Sequence, residues 1–147
     1  MTFKERLLED MKVSMREKDV IRKNTIQMVR SAVLQIEKDN KVALDDDGVI
    51  EIIAKEVKKR RDTLPEFEKS GRQDLISTLN AEIAVLLQYL PEQLTESELE
   101  EIVKQAVQET GAASARDMGK IMQAVMPKVK GRADGKAINQ IAKRLLG

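Results

Sequence analysis

The sequence predicts an all-α protein: an N-terminal helical bundle followed by a small C-terminal three-helix domain. Three observations predict it. Apolar residues recur at steps of three and four along almost the whole chain, and no stretch alternates as a strand does. Ser/Thr-x-x-acid starts recur at Thr2, Thr95 and Ser114. Most Gly and Pro residues fall between the periodic segments, Pro65 and Gly119 being the ones inside them.

The elements follow in order. Thr2 opens "TFKE", a capping-box spacing, and Leu7, Leu8, Met11 and Met15 continue at helical steps to about Lys18. Asp19 suits an N-cap for a second helix with the stripe Ile21, Thr25, Met28, Val29, Ala32, Val33 and Ile36, ending near Asp39 and Asn40. The loop "ALDDDGV" supplies an aspartate cap for a third helix carrying Val49, Ile50, Ile53, Val57, Leu64 and Phe67. Pro65 interrupts that stripe. It removes one backbone hydrogen bond at a cost of ~3 kcal/mol in a helix interior, so either a kink or a break is expected. Gly71 reads as the residue that ends the segment. A fourth helix spans about Gln73 to Leu90, with Leu75, Ile76, Leu79, Ile83, Leu86, Leu87 and Leu90 on its apolar side, and Pro91 stops it.

Beyond the connection "LPEQL", Thr95 opens a helix that buries Leu99, Ile102, Val103, Ala106 and Val107. Ser114 opens another, with Met118, Ile121, Met122, Val125 and Met126, stopped by Pro127. Asp134 suits the cap of a last helix with Ala137, Ile138, Ile141, Ala142, Leu145 and Leu146. The predicted division is an N-terminal domain over residues 1–92 and a three-helix domain over 93–147.

Composition narrows the chemistry. The chain has 147 residues, 41% hydrophobic and 35% charged, enough for a core and too apolar for a disordered chain. Cysteine and histidine are both absent, which removes thiolate nucleophiles, disulfides, the commonest acid–base catalyst and the usual zinc ligands. The only aromatic residues are Phe3, Phe67 and Tyr89, too few for a base-stacking platform. No catalytic motif, cofactor site or metal site is expected. The charged N-terminus has no signal-peptide pattern and no apolar run approaches a membrane span, so the expected location is the cytoplasm.

The net charge of +1 hides an asymmetry. Residues 1–90 balance, with 17 cations and 17 anions. Residues 91–111 carry six glutamates against Lys104, and residues 112–147 carry eight cations against Asp117 and Asp134. A basic C-terminal third points toward an anionic partner. Its most basic connection is "MPKVKGRADG" at 126–135, a loop that is either simply solvated or faces phosphate. Convergence of Lys120, Lys128, Lys130, Arg132, Lys136, Lys143 and Arg144 on one surface would make an electrostatic footprint. Gly131 and Gly135 would let backbone N–H groups approach an anion without a Cβ between. The run "KKRR" at 58–61 is read instead as a solvated face with local ion pairs, because consecutive residues spread around a helix. "DDD" at 45–47 lacks the alternating ligands of a calcium loop and is read as capping. The methionines Met118, Met122 and Met126 are read as core packing.

The segments "GRQDL" at 71–75, "YLPEQL" at 89–94, "GAASARDMGKIM" at 111–122 and "VMPKVKGRADGKAIN" at 125–139 resemble the YqeY family. The C-terminal module is similar to the tail domain of the B subunit of tRNA-dependent amidotransferases, which contacts the outer corner of tRNA. A similar module is appended to some glutaminyl-tRNA synthetases. The resemblance covers essentially the whole chain and implies two all-α domains. It also implies a noncatalytic tRNA-binding role, with contact to the RNA backbone by shape and charge. Two other classes stand beside it: an adaptor docking on an aminoacyl-tRNA synthetase or amidotransferase, and an accessory of carbon–nitrogen ligase activity.

Overall fold

The structure of the protein is a computed structural model that describes residues 1–146. Seven α-helices and no strand occur among the described residues. The chain divides into two compact units, Met1–Leu90 and Pro91–Gly147.

The first unit holds α1 (Phe3–Arg16), α2 (Val20–Asn40), α3 (Asp46–Ser70) and α4 (Gln73–Leu87). The starts of α1, α2 and α3 are each set by a side chain that satisfies a backbone N–H the helix itself leaves free, whereas Arg72 at the start of α4 makes no such bond. Thr2 Oγ1 accepts from Glu5 N at 3.2 Å while Thr2 N donates to Glu5 Oε2 at 3.1 Å, completing the capping box. Asp19 accepts from Arg22 N at 3.1 Å, and Asp45 from Gly48 N at 2.9 Å. Gly71 ends α3 with φ +69°, the left-handed conformation that glycine adopts without a Cβ clash. α1 pairs with α2 and α3 with α4, and α2 also packs on α4. Leu7, Ile26, Val29, Val33, Val49, Ile53, Val57, Ile83, Leu86 and Tyr89 form one buried core.

Pro65 neither breaks nor ends α3, which runs through it from Asp46 to Ser70. The residue is exposed. The carbonyl of Arg61 loses its N–H partner there, and Arg61 is exposed as well. Four residues placed on the apolar stripes, Met15, Ile21, Met28 and Met126, lie outside the cores with exposures of 57%, 39%, 48% and 42%, so Met126 does not pack in the core as its spacing predicts. Met28 nonetheless meets α3, its thioether accepting from Arg60 at 3.2 Å.

The second unit holds α5 (Glu96–Thr110), α6 (Met118–Val125) and α7 (Gly135–Leu146). The three helices pack on one another around Leu99, Val103, Ala106, Ile121, Val125, Ile138, Ile141 and Ala142. Thr95 caps α5 with a second complete capping box. Ser114 opens a short 3-10 turn, Ala115–Asp117, rather than α6 directly. Another 3-10 turn, Met126–Lys128, carries the chain past Pro127.

Candidate nucleic-acid interface

The connection between α6 and α7 is fastened rather than loose. Val129, midway along it, is fully buried in the core of the second unit. The chain just before α5 then clamps the turn with three hydrogen bonds. Gln93 Nε2 donates to the Gly131 carbonyl at 2.7 Å, Leu94 N donates to the Arg132 carbonyl at 3.0 Å, and Arg132 Nε donates to the Glu92 carbonyl at 2.9 Å. Gly131 sits at φ +73°, which accounts for glycine at this position. Asp134 accepts from Lys136 N at 3.0 Å at the start of α7.

The nine residues singled out from the sequence take different places on this frame. Lys128 and Lys130 are exposed on either side of buried Val129. Lys136 and Lys143 are exposed and seven residues apart on α7, so they share one helical stripe. Lys120 is exposed near the start of α6, 3.8 Å from Asp117. The Ala113 N–H donated to Asp117 at 2.9 Å holds that carboxyl below its usual range, so its charge persists beside Lys120.

Carboxylates of α5 meet two of the cations. Lys128 Nζ lies 3.6 Å from Glu109, and Arg144 reaches Glu96 and Glu100 at 3.6 and 3.4 Å. These are exposed pairs that exchange readily with other partners. Arg132 is half-buried, and its guanidinium belongs to the clamp. Gly135 is turned toward Met122 and Met126, at 3.7 and 4.0 Å from where a Cβ would stand, and its role is packing.

The run Lys58–Arg61 is resolved differently for each residue. Lys58 pairs with Asp62 at 3.0 Å and Lys59 lies 3.8 Å from Glu56, both as local pairs. Arg60, in contrast, is 7% exposed and points inward, donating to Glu82 at 2.8 Å and Glu56 at 3.0 Å. Of the three aspartates at 45–47, Asp45 caps α3 and Asp46 accepts from Phe3 N at 3.0 Å. The clamp residues Glu92 and Gln93 carry no sequence signal beyond their place in "PEQL".

A family profile described as Yqey-like protein matches residues 4–146. The chain belongs to the YqeY family. Curated proteins similar to this YqeY chain include fungal ones. The Altered inheritance of mitochondria protein 41, mitochondrial, of Pyrenophora tritici-repentis is 33% identical over 97% of this chain and 80% of its own length. The protein of the same name from Kluyveromyces lactis is 37% identical over 56% of this chain and 45% of its own. The Uncharacterized protein C22F3.15 of Schizosaccharomyces pombe is 33% identical over 61% of this chain and 70% of its own. Neither the YqeY description nor these names states a reaction. The expectation of a cytoplasmic location is overturned: four relatives are named as mitochondrial proteins. The charged N-terminal pattern on which that expectation rested does not discriminate between compartments.

Proposed function

We propose that the second unit is a noncatalytic tRNA-binding module that meets the RNA backbone by charge and shape. The observation that carries this reading is the pair Lys128 and Lys130, exposed on a turn held by buried Val129 and by three hydrogen bonds from residues 92–94. A clamped turn presents its cations with little ordering cost on binding. The stripe of Lys136 and Lys143 extends the positive charge along α7. Phosphate contacts of this kind position a protein on folded RNA without reading bases.

The test is a titration of full-length protein with tRNA at several salt concentrations. Because relatives are named for the inheritance of mitochondria, mitochondrial tRNA belongs beside bulk tRNA in that assay. Lys128→Glu with Lys130→Glu is expected to weaken binding at all sequences and to lower the salt slope by about two, one for each phosphate contact. Equal affinity and equal slope for variant and parent would sink the reading. Arg132 is left unchanged in the variant because its guanidinium holds the turn.

A second reading, docking of the first unit on a synthetase or amidotransferase partner, draws on the outer side of α2. Over its first sixteen residues, 20–35, the exposed Val20, Asn24, Gln27, Ser31, Leu34 and Gln35 carry no charge, and Lys38 is the first cation to follow them on that stripe. Such a face suits protein contact better than RNA, since polyanion binding needs cations. Ser31→Glu would abolish complex formation with a purified partner and leave tRNA binding unchanged.

A further inference from the structure

A groove of about 240 Å³ lies between α1 and α2 in the first unit. Its wall is aliphatic: Leu7, Leu8, Val33 and Leu34, the last 60% exposed at the lip. No aromatic ring lines it, so its shape and chemistry suit an alkyl chain rather than a stacked planar ligand. It is larger than the ~150 Å³ cavity that takes up benzene and smaller than the ~300 Å³ of the smaller drug-sized pockets.

Four charged residues also border the groove, and three are already committed. Lys4 Nζ donates to Glu37, whose carboxylate also accepts from Leu44 N at 2.7 Å. These two contacts hold the Glu37 carboxyl below its usual range, so it stays ionised and engaged. Glu5 closes the capping box of α1. Arg30 is the exception. Among the described residues its one hydrogen-bond partner is the thioether of Met11, at 3.5 Å, and no carboxylate lies within 4.0 Å. A guanidinium has five N–H donors, and a thioether is a weak acceptor. One uncommitted positive charge therefore stands beside an aliphatic wall.

We propose that this groove binds an aliphatic carboxylate of medium chain length, with the alkyl chain along Leu7, Leu8, Val33 and Leu34 and the carboxylate on Arg30. The guanidinium fork matches a carboxylate through two parallel hydrogen bonds. The alkyl chain gains by leaving water. The site lies wholly in the first unit and is independent of the RNA reading of the second.

The test uses the full-length protein and three probes below their micelle-forming concentrations: octanoate, octanol and octylamine. Binding is read from NMR shifts of the methyl groups of Leu7, Leu8, Val33 and Leu34. Octanoate is expected to give saturable shifts, with octylamine about ten-fold weaker or more, as loss of one charge-assisted contact implies. Arg30→Gln is expected to bring octanoate to the level of octanol while leaving octanol binding and thermal unfolding unchanged. Leu34→Glu, at the exposed lip, is expected to weaken octanoate and octanol together. Absence of saturable shifts with millimolar octanoate, equal binding of octylamine, or octanoate binding unaffected by Arg30→Gln would each overturn the proposal.

Discussion

The hydroxyl of Tyr89 donates to the Asp10 carboxylate and ties the turn after α4 to the middle of α1. Tyr89 is 3% exposed, and the Arg6 guanidinium lies over its ring at 4.5 Å from the centroid. Arg6 and Arg22 each come within 3.8 Å of the same carboxylate. Arg6 also donates to the Gln88 carbonyl at 3.2 Å. The chain thus leaves the first unit, at Leu90 and Pro91, from an anchored residue rather than from a frayed helix end.

This anchor should titrate visibly. Burial, and after it the Asp10 hydrogen bond and charge, push the Tyr89 phenol well above its ordinary value. A group whose folded pKa is raised adds stability that is fully present below its unfolded pKa. That stability is lost as pH climbs from about 10 toward the folded value. Tyr89 is the only tyrosine and the chain has no tryptophan, so phenolate absorbance reports this residue alone. Tyr89→Phe should cost ~1–2 kcal/mol at neutral pH. It should also flatten the loss of stability above pH ~10 relative to the parent.

Arg60 should behave as a buried ion-pair centre. Removing it by Arg60→Ala leaves Glu56 and Glu82 facing each other's charge with no cation between them, and Glu56 is only 8% exposed. The expected loss is about 3–5 kcal/mol in urea unfolding of the first unit. The triple change Glu56→Gln, Arg60→Met, Glu82→Gln should recover most of it, because no charge is then left buried alone.

What the sequence made legible follows from range. Helix stripes and caps depend on residues three or four apart, and the structure places them where the spacing predicts, as Thr2 with Glu5 and Thr95 with Glu98 show. The inward turn of Arg60 depends on Glu82, 22 residues away, and so the run "KKRR" read as a solvated face with local ion pairs only. Arg132 depends on a carbonyl 40 residues earlier, at Glu92. A basic loop residue with a distant backbone partner looks the same in sequence as one that faces phosphate.

That distinction is testable on the turn itself. Arg132→Lys keeps the charge and loses the planar fork, and should lower the stability of the second unit by ~1 kcal/mol. Lys128→Gln should change it by less than ~0.5 kcal/mol, since its pair with Glu109 is exposed. Chemical unfolding of both variants, each compared with the parent, checks the contrast. Equal losses for the two would mean that Arg132 is not a structural residue.

Gly131 separates a backbone demand from a ligand demand. At φ +73° an L-residue with a Cβ is strained by roughly 1–2 kcal/mol, and asparagine tolerates the region better than alanine. Gly131→Ala should therefore destabilise the second unit more than Gly131→Asn. If glycine is present for close approach of phosphate instead, both substitutions would weaken tRNA binding alike and leave unfolding unchanged.

Pro65 supplies the last expectation. α3 is continuous across it, so the helix carries an unpaired carbonyl at Arg61 and a ring pressed against the preceding turn. Thr63, two residues before, returns its hydroxyl to the Lys59 carbonyl at 2.8 Å, a contact that goes with bending. Leu64 packs against the first core just before the proline, and half-buried Phe67 follows it. Pro65→Ala restores the backbone bond and should raise the stability of the first unit by ~1–3 kcal/mol. A neutral or destabilising result in the same urea titration would mean that the proline ring helps to seat Leu64, and that the backbone cost is offset by that packing.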